Sequence, residues 1–371
     1  MKYYIIAGEA SGDLHGSNLI AALKKMDNSA TFRCWGGDKM QEAGGELVKH
    51  YRELAFMGFA EVLMNLRTIF RNLKFCKEDI LQHKPDTLIL IDYPGFNLRI
   101  AKWAKQHNIK VIYYISPQVW AWKEGRVKMM KQCIDKMLVI LPFEKDYFKN
   151  KWNWEVEYVG HPLVQVVEKH KSGAKSLELS DKPVIALLPG SRKQEILKKL
   201  PIMLEVSKSF TSYQFIVAKA PGLDEQFYDD LLKPYSNVSH VTNKTYDLLL
   251  QAKAALVTSG TATLETALFT VPEVVCYKGS WLSYQIGKRL VKVKYIALVN
   301  LIMDKQVVKE LIQNNLTVDN LKNELSALLT DEVRKEQLQK DYQLLKKILS
   351  EGGNASAKAA LSIHNFLSSA T

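Results

Sequence analysis

The stretch Ala254–Leu268, AALVTSGTATLETAL, joins an apolar run to a polar turn rich in small hydroxyl residues. It predicts a buried strand and then a helix opening at Thr261–Thr263 with Glu265 in its first turn. Hydroxyl caps and an acidic side chain both suit the positive end of a helix dipole. A helix start presents backbone N–H groups without intrahelical partners, which makes it a site for anions. Gly260 has no Cβ, so a ligand can come close to the backbone there. A second stretch of this kind, Leu188-Pro189-Gly190-Ser191-Arg192 followed by Glu195, ends another apolar run, and Arg is well shaped for phosphate oxygens. Either stretch alone reads equally as an ordinary strand-to-helix junction. As a pair in one domain, they point to a nucleoside diphosphate.

Three further stretches lie in the first half. Asp92-Tyr93-Pro94-Gly95-Phe96-Asn97 follows the apolar run TLILI, which sets an acidic group at the ligand edge of a sheet. Partial burial there would raise its pKa toward general-base use, although Asp and Asn also serve as helix caps. Pro94-Gly95 is read as a defined turn. Gly8-Glu9-Ala10-Ser11-Gly12-Asp13 resembles a glycine-rich phosphate turn, yet it is neither GxGxxG nor a Walker motif. A tight turn with a cap is the alternative, and His15 beyond it is expected at an exposed first-turn position. Ser116-Pro117-Gln118-Val119-Trp120-Ala121-Trp122-Lys123, with Arg126, sets tryptophans among polar groups. That suits sugar stacking or lipid contact, or else a hydrophobic clamp between domains.

The elements that must position these loops follow from periodicity. Strands are expected at Tyr3–Ala7, Phe32–Gly36, Thr87–Ile91, Lys110–Ile115, Met137–Leu141, Val184–Leu188, Gln214–Ala218, Val238–Val241, Ala254–Val257 and Pro272–Tyr277. Helices are expected between them, including Gly16–Lys25, Leu98–Gln106 and Glu195–Ser209. Alternation of this kind means α/β architecture with parallel sheets covered by helices on both faces. At 371 residues the chain suits two domains rather than one core. The polar stretch Glu168–Pro183 is the linker candidate. The expected division is 1–168, 169–345 and a helical tail, 346–371, that either packs on its own domain or crosses back to the first. Ligands of such sheets bind at the carboxyl ends of the strands.

Composition narrows the function. The net charge of +12 and pI near 9.2 favour anionic partners. No zinc-finger, KH or RRM signature is present and the lysines are dispersed, so an anionic membrane surface or phosphorylated substrate is favoured over nucleic acid. No apolar run approaches spanning length, and the N-terminus reads as a strand rather than a signal peptide. Cys34, Cys76, Cys133 and Cys276 lie far apart in no metal-ligand spacing, which suits reduced, structural thiols in a cytoplasm. Phe56–Ile80 interleaves apolar residues with Arg67, Arg71, Lys74 and Lys77. It fits an interfacial helix or acyl-chain groove, or a helix packed on the sheet. Trp281–Lys294 adds further basic residues. No metal site is apparent.

The chain resembles the lipid-A-disaccharide synthases, glycosyltransferases with two Rossmann-like domains facing across a cleft (the GT-B type). The matching pieces are AGEASGD, MGFAEVL, DYPGFN, SPQVWAWK with Arg126, LPFE, VGHPL, LLPGSR with Glu195, SGTATLE, Asn300 in YIALVNLI and KELIQ ending at Gln313. The resemblance implies transfer of 2,3-diacylglucosamine from UDP to 2,3-diacylglucosamine 1-phosphate, with inversion, giving a β-1,6-linked disaccharide and UDP. It implies no metal or other cofactor, and peripheral attachment to the cytoplasmic side of an anionic inner membrane. Oligomeric state stays open. By the same resemblance Asp92 is the base. Arg192, Glu195, Ser259, Gly260, Thr261, Ala262, Glu265, Asn300 and Gln313 hold UDP. Glu9, Ser11, Gly12, Asp13, Asn97, Ser116, Gln118, Trp120 and Arg126 line the acceptor side. Gly95 departs from members that carry Asp there, and Gln306 stands where some relatives are acidic.

Two other readings compete. One is a UDP-sugar epimerase or a transferase acting on another lipid-linked sugar, by fold analogy. The other is a basic, non-catalytic nucleic-acid or membrane-binding protein.

Overall fold

The computed structural model describes residues 1–54, 66–173, 179–220, 223–280, 284–285, 289 and 293–369. The chain forms two compact units, Met1–Pro162 with Leu349–Thr371, and Leu163–Ile348. It passes from one to the other inside the helices Pro162–Gly173 and Glu332–Ser350. The start of the expected linker is therefore helix, and residues 174–178 of it lie outside the described residues.

In the first unit β1 (Lys2–Ala7), β2 (Thr31–Gly36), β3 (Glu46–His50), β4 (Thr87–Ile91), β5 (Lys110–Tyr114), β6 (Lys136–Val139) and β7 (Glu157–Tyr158) form one sheet. Its order is β3-β2-β1-β4-β5-β6-β7, with every neighbouring pair parallel. The second unit repeats the plan with β8 (Val184–Leu188), β9 (Gln214–Lys219), β10 (Val238–Thr242), β11 (Ala252–Thr258), β12 (Glu273–Tyr277) and β13 (Lys309–Ile312). There the order is β10-β9-β8-β11-β12-β13, again all parallel. Each sheet grows outward both ways from a central pair, β1/β4 or β8/β11. Loops leaving the carboxyl ends of such a pair part to opposite faces and open a crevice between them.

Local sequence explains these strands. Every residue of TLILI in β4 and of VIALL in β8 is buried, as uninterrupted apolar runs must be when helices cover both faces. The helix Leu66–His83 turns Leu73, Cys76 and Ile80 into the first core. A buried polar chain also ties it to the sheet: Tyr4 Oη donates to Asp79 (2.6 Å), Trp35 Nε1 donates to Tyr4 Oη (2.8 Å), and Arg33 pairs with Asp79 (2.7 Å). The helix Ala355–Ser368 lays Ala355, Ala359, Ala360 and Ile363 against the helix Ala10–Met26. Small side chains permit that close approach. All four cysteines are buried thiols outside any disulfide. No helix among the described residues is long and apolar enough to cross a membrane.

The glycine-rich stretch after β1 differs from expectation. The helix begins at Ala10, so Ser11, Gly12 and Asp13 are its first turn rather than a phosphate loop. Gly12 is buried and faces the strand, where an added Cβ would stand 3.0 Å from Ala7 Cβ. Asp13 is 3% exposed, and its carboxylate accepts from the amides of Gly37 (2.8 Å), Met40 (3.0 Å) and Lys39 (3.2 Å). It therefore holds the chain after β2 instead of lining an acceptor site. Asp13→Ala orphans these amides and is expected to cost about 2–4 kcal/mol in urea or thermal denaturation. An unchanged midpoint would contradict that role.

Candidate functional site

The carboxyl edge of the first sheet is built around Asp92. Asp92 and Tyr93 both adopt left-handed backbone, at φ 44° and 48°, and Ile115 at the end of β5 does so at φ 68°. Such residues cost about 1–3 kcal/mol each and persist only where surrounding contacts dictate them. Here the Asp92 carbonyl accepts from Tyr113 Oη (2.5 Å) and Asn97 Nδ2 (2.8 Å), and the Asp92 amide donates to Tyr114 O (3.2 Å). Gly8, ending β1, leaves room for the Tyr93 ring, which a Cβ there would meet at 2.3 Å. Pro94 opens the helix Pro94–Gln106 at its first position, so Pro94-Gly95 is a helix start rather than the expected turn. Asn97 is fully buried and its Nδ2 also reaches the carbonyls of Ile6 and Ile91. It thus pins β1 to β4 through backbone carbonyls, while its Oδ1 has no hydrogen-bond partner among the described residues.

Burial, then the charge of Glu9, pushes the Asp92 carboxyl up to about 7, against the opposing Tyr93 amide. Glu9 sits at the N-cap of the helix Ala10–Met26, beside exposed Ser11. Glu144 completes a group of acidic side chains that sense one another. It is 1% exposed, accepts from the Leu141 amide and Trp120 Nε1 (both 3.1 Å), and is pushed up to about 8, chiefly by burial with a small contribution from Asp92. Trp120 also meets Phe143 edge-on at 4.9 Å. Ser116 is buried with its hydroxyl on Pro117 O, whereas Gln118 is exposed. Half-buried Arg126 and Asp92 both act electrostatically on Tyr113. His15 is not exposed: at 7% exposure its Nδ1 has no hydrogen-bond partner among the described residues, and burial lowers its pKa to about 4.

At the carboxyl edge of the second sheet is a cavity of about 500 Å³. It is lined by Gly190, Ser191, Arg192 and Glu195 after β8, by Ser259, Gly260, Thr261, Ala262 and Glu265 after β11, and by Ala218, Lys219 and Ala220 at β9. The helices Lys193–Ser207 and Thr261–Leu268 both start here. Gly260 is the N-cap at φ 145°, a conformation reserved for glycine, with nothing within 4 Å of where its Cβ would be. The expected hydroxyl cap is absent, because the cap position is Gly260, and Thr263 Oγ1 turns back to Gly260 O (2.9 Å). Glu265 lies beyond the first turn, accepts from Tyr246 Oη (2.7 Å), and is raised by burial. Arg192 Nη1 stands 3.4 Å from Glu195. Lys199 is 3% exposed, bonds Thr258 Oγ1, and lies 3.7 Å from Glu195; burial lowers its pKa.

Asn300 and Gln313 are not brought to this cavity. Asn300 is fully buried and saturated: Nδ2 donates to Val308 O and Glu310, while Oδ1 accepts from the Val307 and Val308 amides. Gln313 Oε1 accepts from the Gly279 amide (2.7 Å). Asn300 instead works with Glu310, whose carboxylate accepts the Ile296 and Ala297 amides, and Ser259 Oγ bonds Ile296 O (2.9 Å). Lys219, the last residue of β9, also lines the cavity, and a lone Lys closing an apolar run carries no motif. MGFAEVL and most of Trp281–Lys294 lie outside the described residues.

Comparison with known proteins bears on the fold and the family. A family model described as lipid-A-disaccharide synthetase matches residues 3–363. The lipid-A-disaccharide synthase of Syntrophus aciditrophicus is 40% identical over 369 residues, covering 97% of this chain and 96% of that one. Among solved structures, the UDP-GlcNAc 2-epimerase of Neisseria meningitidis bound to UDP-GlcNAc matches with a TM-score of 0.68 at 13% identity, over 99% of this chain and 100% of that one. A calicheamicin glycosyltransferase matches with a TM-score of 0.62 at 16% identity, over 100% and 99%. These distant structures speak for the fold, two Rossmann-like domains of the GT-B type. The sequence relationship goes further: the chain belongs to the lipid-A-disaccharide synthase family, glycosyltransferases of lipid A biosynthesis.

Proposed function

We propose that this glycosyltransferase moves 2,3-diacylglucosamine from UDP to the 6-hydroxyl of 2,3-diacylglucosamine 1-phosphate in one inverting displacement. Asp92 accepts the hydroxyl proton as that oxygen bonds to the anomeric carbon. The bond to UDP breaks in the same step, and its electron pair leaves on a phosphate oxygen. Arg192, held by Glu195, and the backbone amides at Thr261 and Ala262 stabilise the departing charge. Ser259 shapes the turn through Ile296, and Glu265 lines the same cavity. On the acceptor side Glu9, Ser11, Gln118, Trp120 and Arg126 are assigned to the sugar, and Arg126 suits its 1-phosphate. The side chains of Asp13, Asn97, Asn300 and Gln313 also hold backbone groups, and Gly12 packs against Ala7.

The observation that carries this reading is Asp92: a strained carboxylate at the strand-order reversal, with a pKa near neutrality. A general base works best when its pKa lies near the operating pH. A small apolar cavity of about 130 Å³ lined by Leu54, Ile69, Tyr93 and Phe96 lies beside it and suits part of an acyl chain. Incubation with both substrates, followed by product mass, tests the reaction; a product other than the disaccharide 1-phosphate would refute it. A second family of assays separates the epimerase reading, which predicts a changed sugar on UDP without any acceptor.

Peripheral binding to an anionic membrane is part of the proposal. The outer face of the helix Leu66–His83 exposes Phe70 at 62% and Leu81 at 47% beside Arg67, Arg71 and Lys74. Apolar side chains ringed by cations suit an interface rich in anionic lipid.

Asp92 is protonated below about pH 7 and cannot then accept a proton, so kcat/KM is expected to fall as the pH drops through 7. Asp92→Asn should lose about 10³-fold in kcat while UDP binding persists; near-wild-type turnover would remove Asp92 from the mechanism. Glu9→Gln deletes the neighbouring charge and should move the acid limb to lower pH, whereas an unmoved limb would show that Glu9 does not tune the base. Phe70→Glu is expected to weaken sedimentation with phosphatidylglycerol vesicles about fivefold or more without lowering Tm. Unchanged sedimentation would exclude this face from the membrane contact.

A further inference from the structure

The cavity of the second unit is lined by two cations, Arg192 and Lys219, and two carboxylates, Glu195 and Glu265. Arg192 and Lys199 share Glu195, at 3.4 and 3.7 Å. Glu265 is engaged with Tyr246. That leaves Lys219, the last residue of β9, which lines the cavity at 4% exposure. Its Nζ has no hydrogen-bond partner among the described residues. The nearest carboxylate, Glu225, is 3.7 Å away and itself 77% exposed, and the Tyr228 ring centroid lies at 5.5 Å. Burying an ammonium without hydrogen bonds is costly, and a chain that keeps one at the edge of a cavity has left its anion to be supplied from outside.

Geometry says which anion. The carboxyl end of β9 lies next to that of β8 on the side away from β11. Lys219 therefore flanks the crevice opposite the start of the helix Thr261–Leu268, with Arg192 after β8 between them. A dianionic group placed in the crevice meets backbone amides on one side and an ammonium on the other. We propose that Lys219 is a further donor-binding residue, gripping the diphosphate of UDP from the β9 side of the cavity. The inference rests on the reading of this cavity as the UDP site and adds a residue to it. Because the ammonium is buried without a hydrogen bond, the same residue trades stability for affinity.

Calorimetric titration of the full chain with UDP and with uridine, alongside thermal melts, tests this. Lys219→Met, an apolar chain of similar length, is expected to raise the ligand-free Tm. It should weaken UDP binding about tenfold or more, as loss of a charge-assisted hydrogen bond does, and leave uridine within about twofold. Lys219→Arg keeps the charge and should retain most of the UDP affinity, which also controls for any misfolding of the Met variant. UDP binding by Lys219→Met within about twofold of wild type would overturn the proposal. So would equal losses for UDP and uridine, because those mean a contact to the nucleoside or a purely structural lysine. Wild-type protein that binds no UDP would overturn the nucleotide reading itself, and the inference with it.

Discussion

Everything in this protein depends on where parallel strands stop. When a sheet grows outward in both directions from one central pair, the two loops leaving that pair cannot cover each other, and the helices that follow start at the same edge. The second unit uses this twice over, since the helices after β8 and β11 both begin beside one cavity. The first unit uses the same reversal to lift Asp92 out of β4. One unit thus offers N–H dipoles and cations, which suit a departing anion. The other offers carboxylates whose ionisation is made difficult, which suits a proton acceptor. The chemical division of labour follows from what each pair of loops carries, because the scaffolds are alike.

Both edges hold their groups at a cost in stability. Consecutive left-handed residues at Asp92 and Tyr93 are sustained by Asn97 and Tyr113 below them, which explains why a fully buried Asn is placed where an apolar residue would pack as well. In the second unit Lys199 and Lys219 are both taken out of water, Lys219 at the wall of the cavity. Buried charges of this kind rarely add stability by themselves. Their retention makes sense where a ligand completes the electrostatics.

Much of this was legible in the residue pattern. Uninterrupted apolar runs such as TLILI and VIALL set out β4 and β8 to the residue, because burial on both faces leaves no polar position to blur the ends. The loops after those strands were found by the rule that ligands sit at carboxyl ends. The short, half-buried edge strands β3, β7 and β13 carry polar residues and gave no such signal. Some motif residues hold backbone groups with their own side chains, which residue type alone does not reveal. Asp13, Asn97 and Asn300 look like ligand groups in a string of letters, and only the fold reveals the amides and carbonyls they already hold. Glu265 stands beyond the first turn for a related reason: Gly260, and not a Ser or Thr, caps the helix, so the turn count shifts.

The most direct test of this account is a crystal structure of the full chain with UDP bound. The account predicts diphosphate oxygens within about 3 Å of backbone amides at the start of the helix Thr261–Leu268 and beside Arg192, at the carboxyl edge of the second sheet. UDP bound at the amino edge of that sheet, or with its phosphates turned away from the helix start, would contradict it.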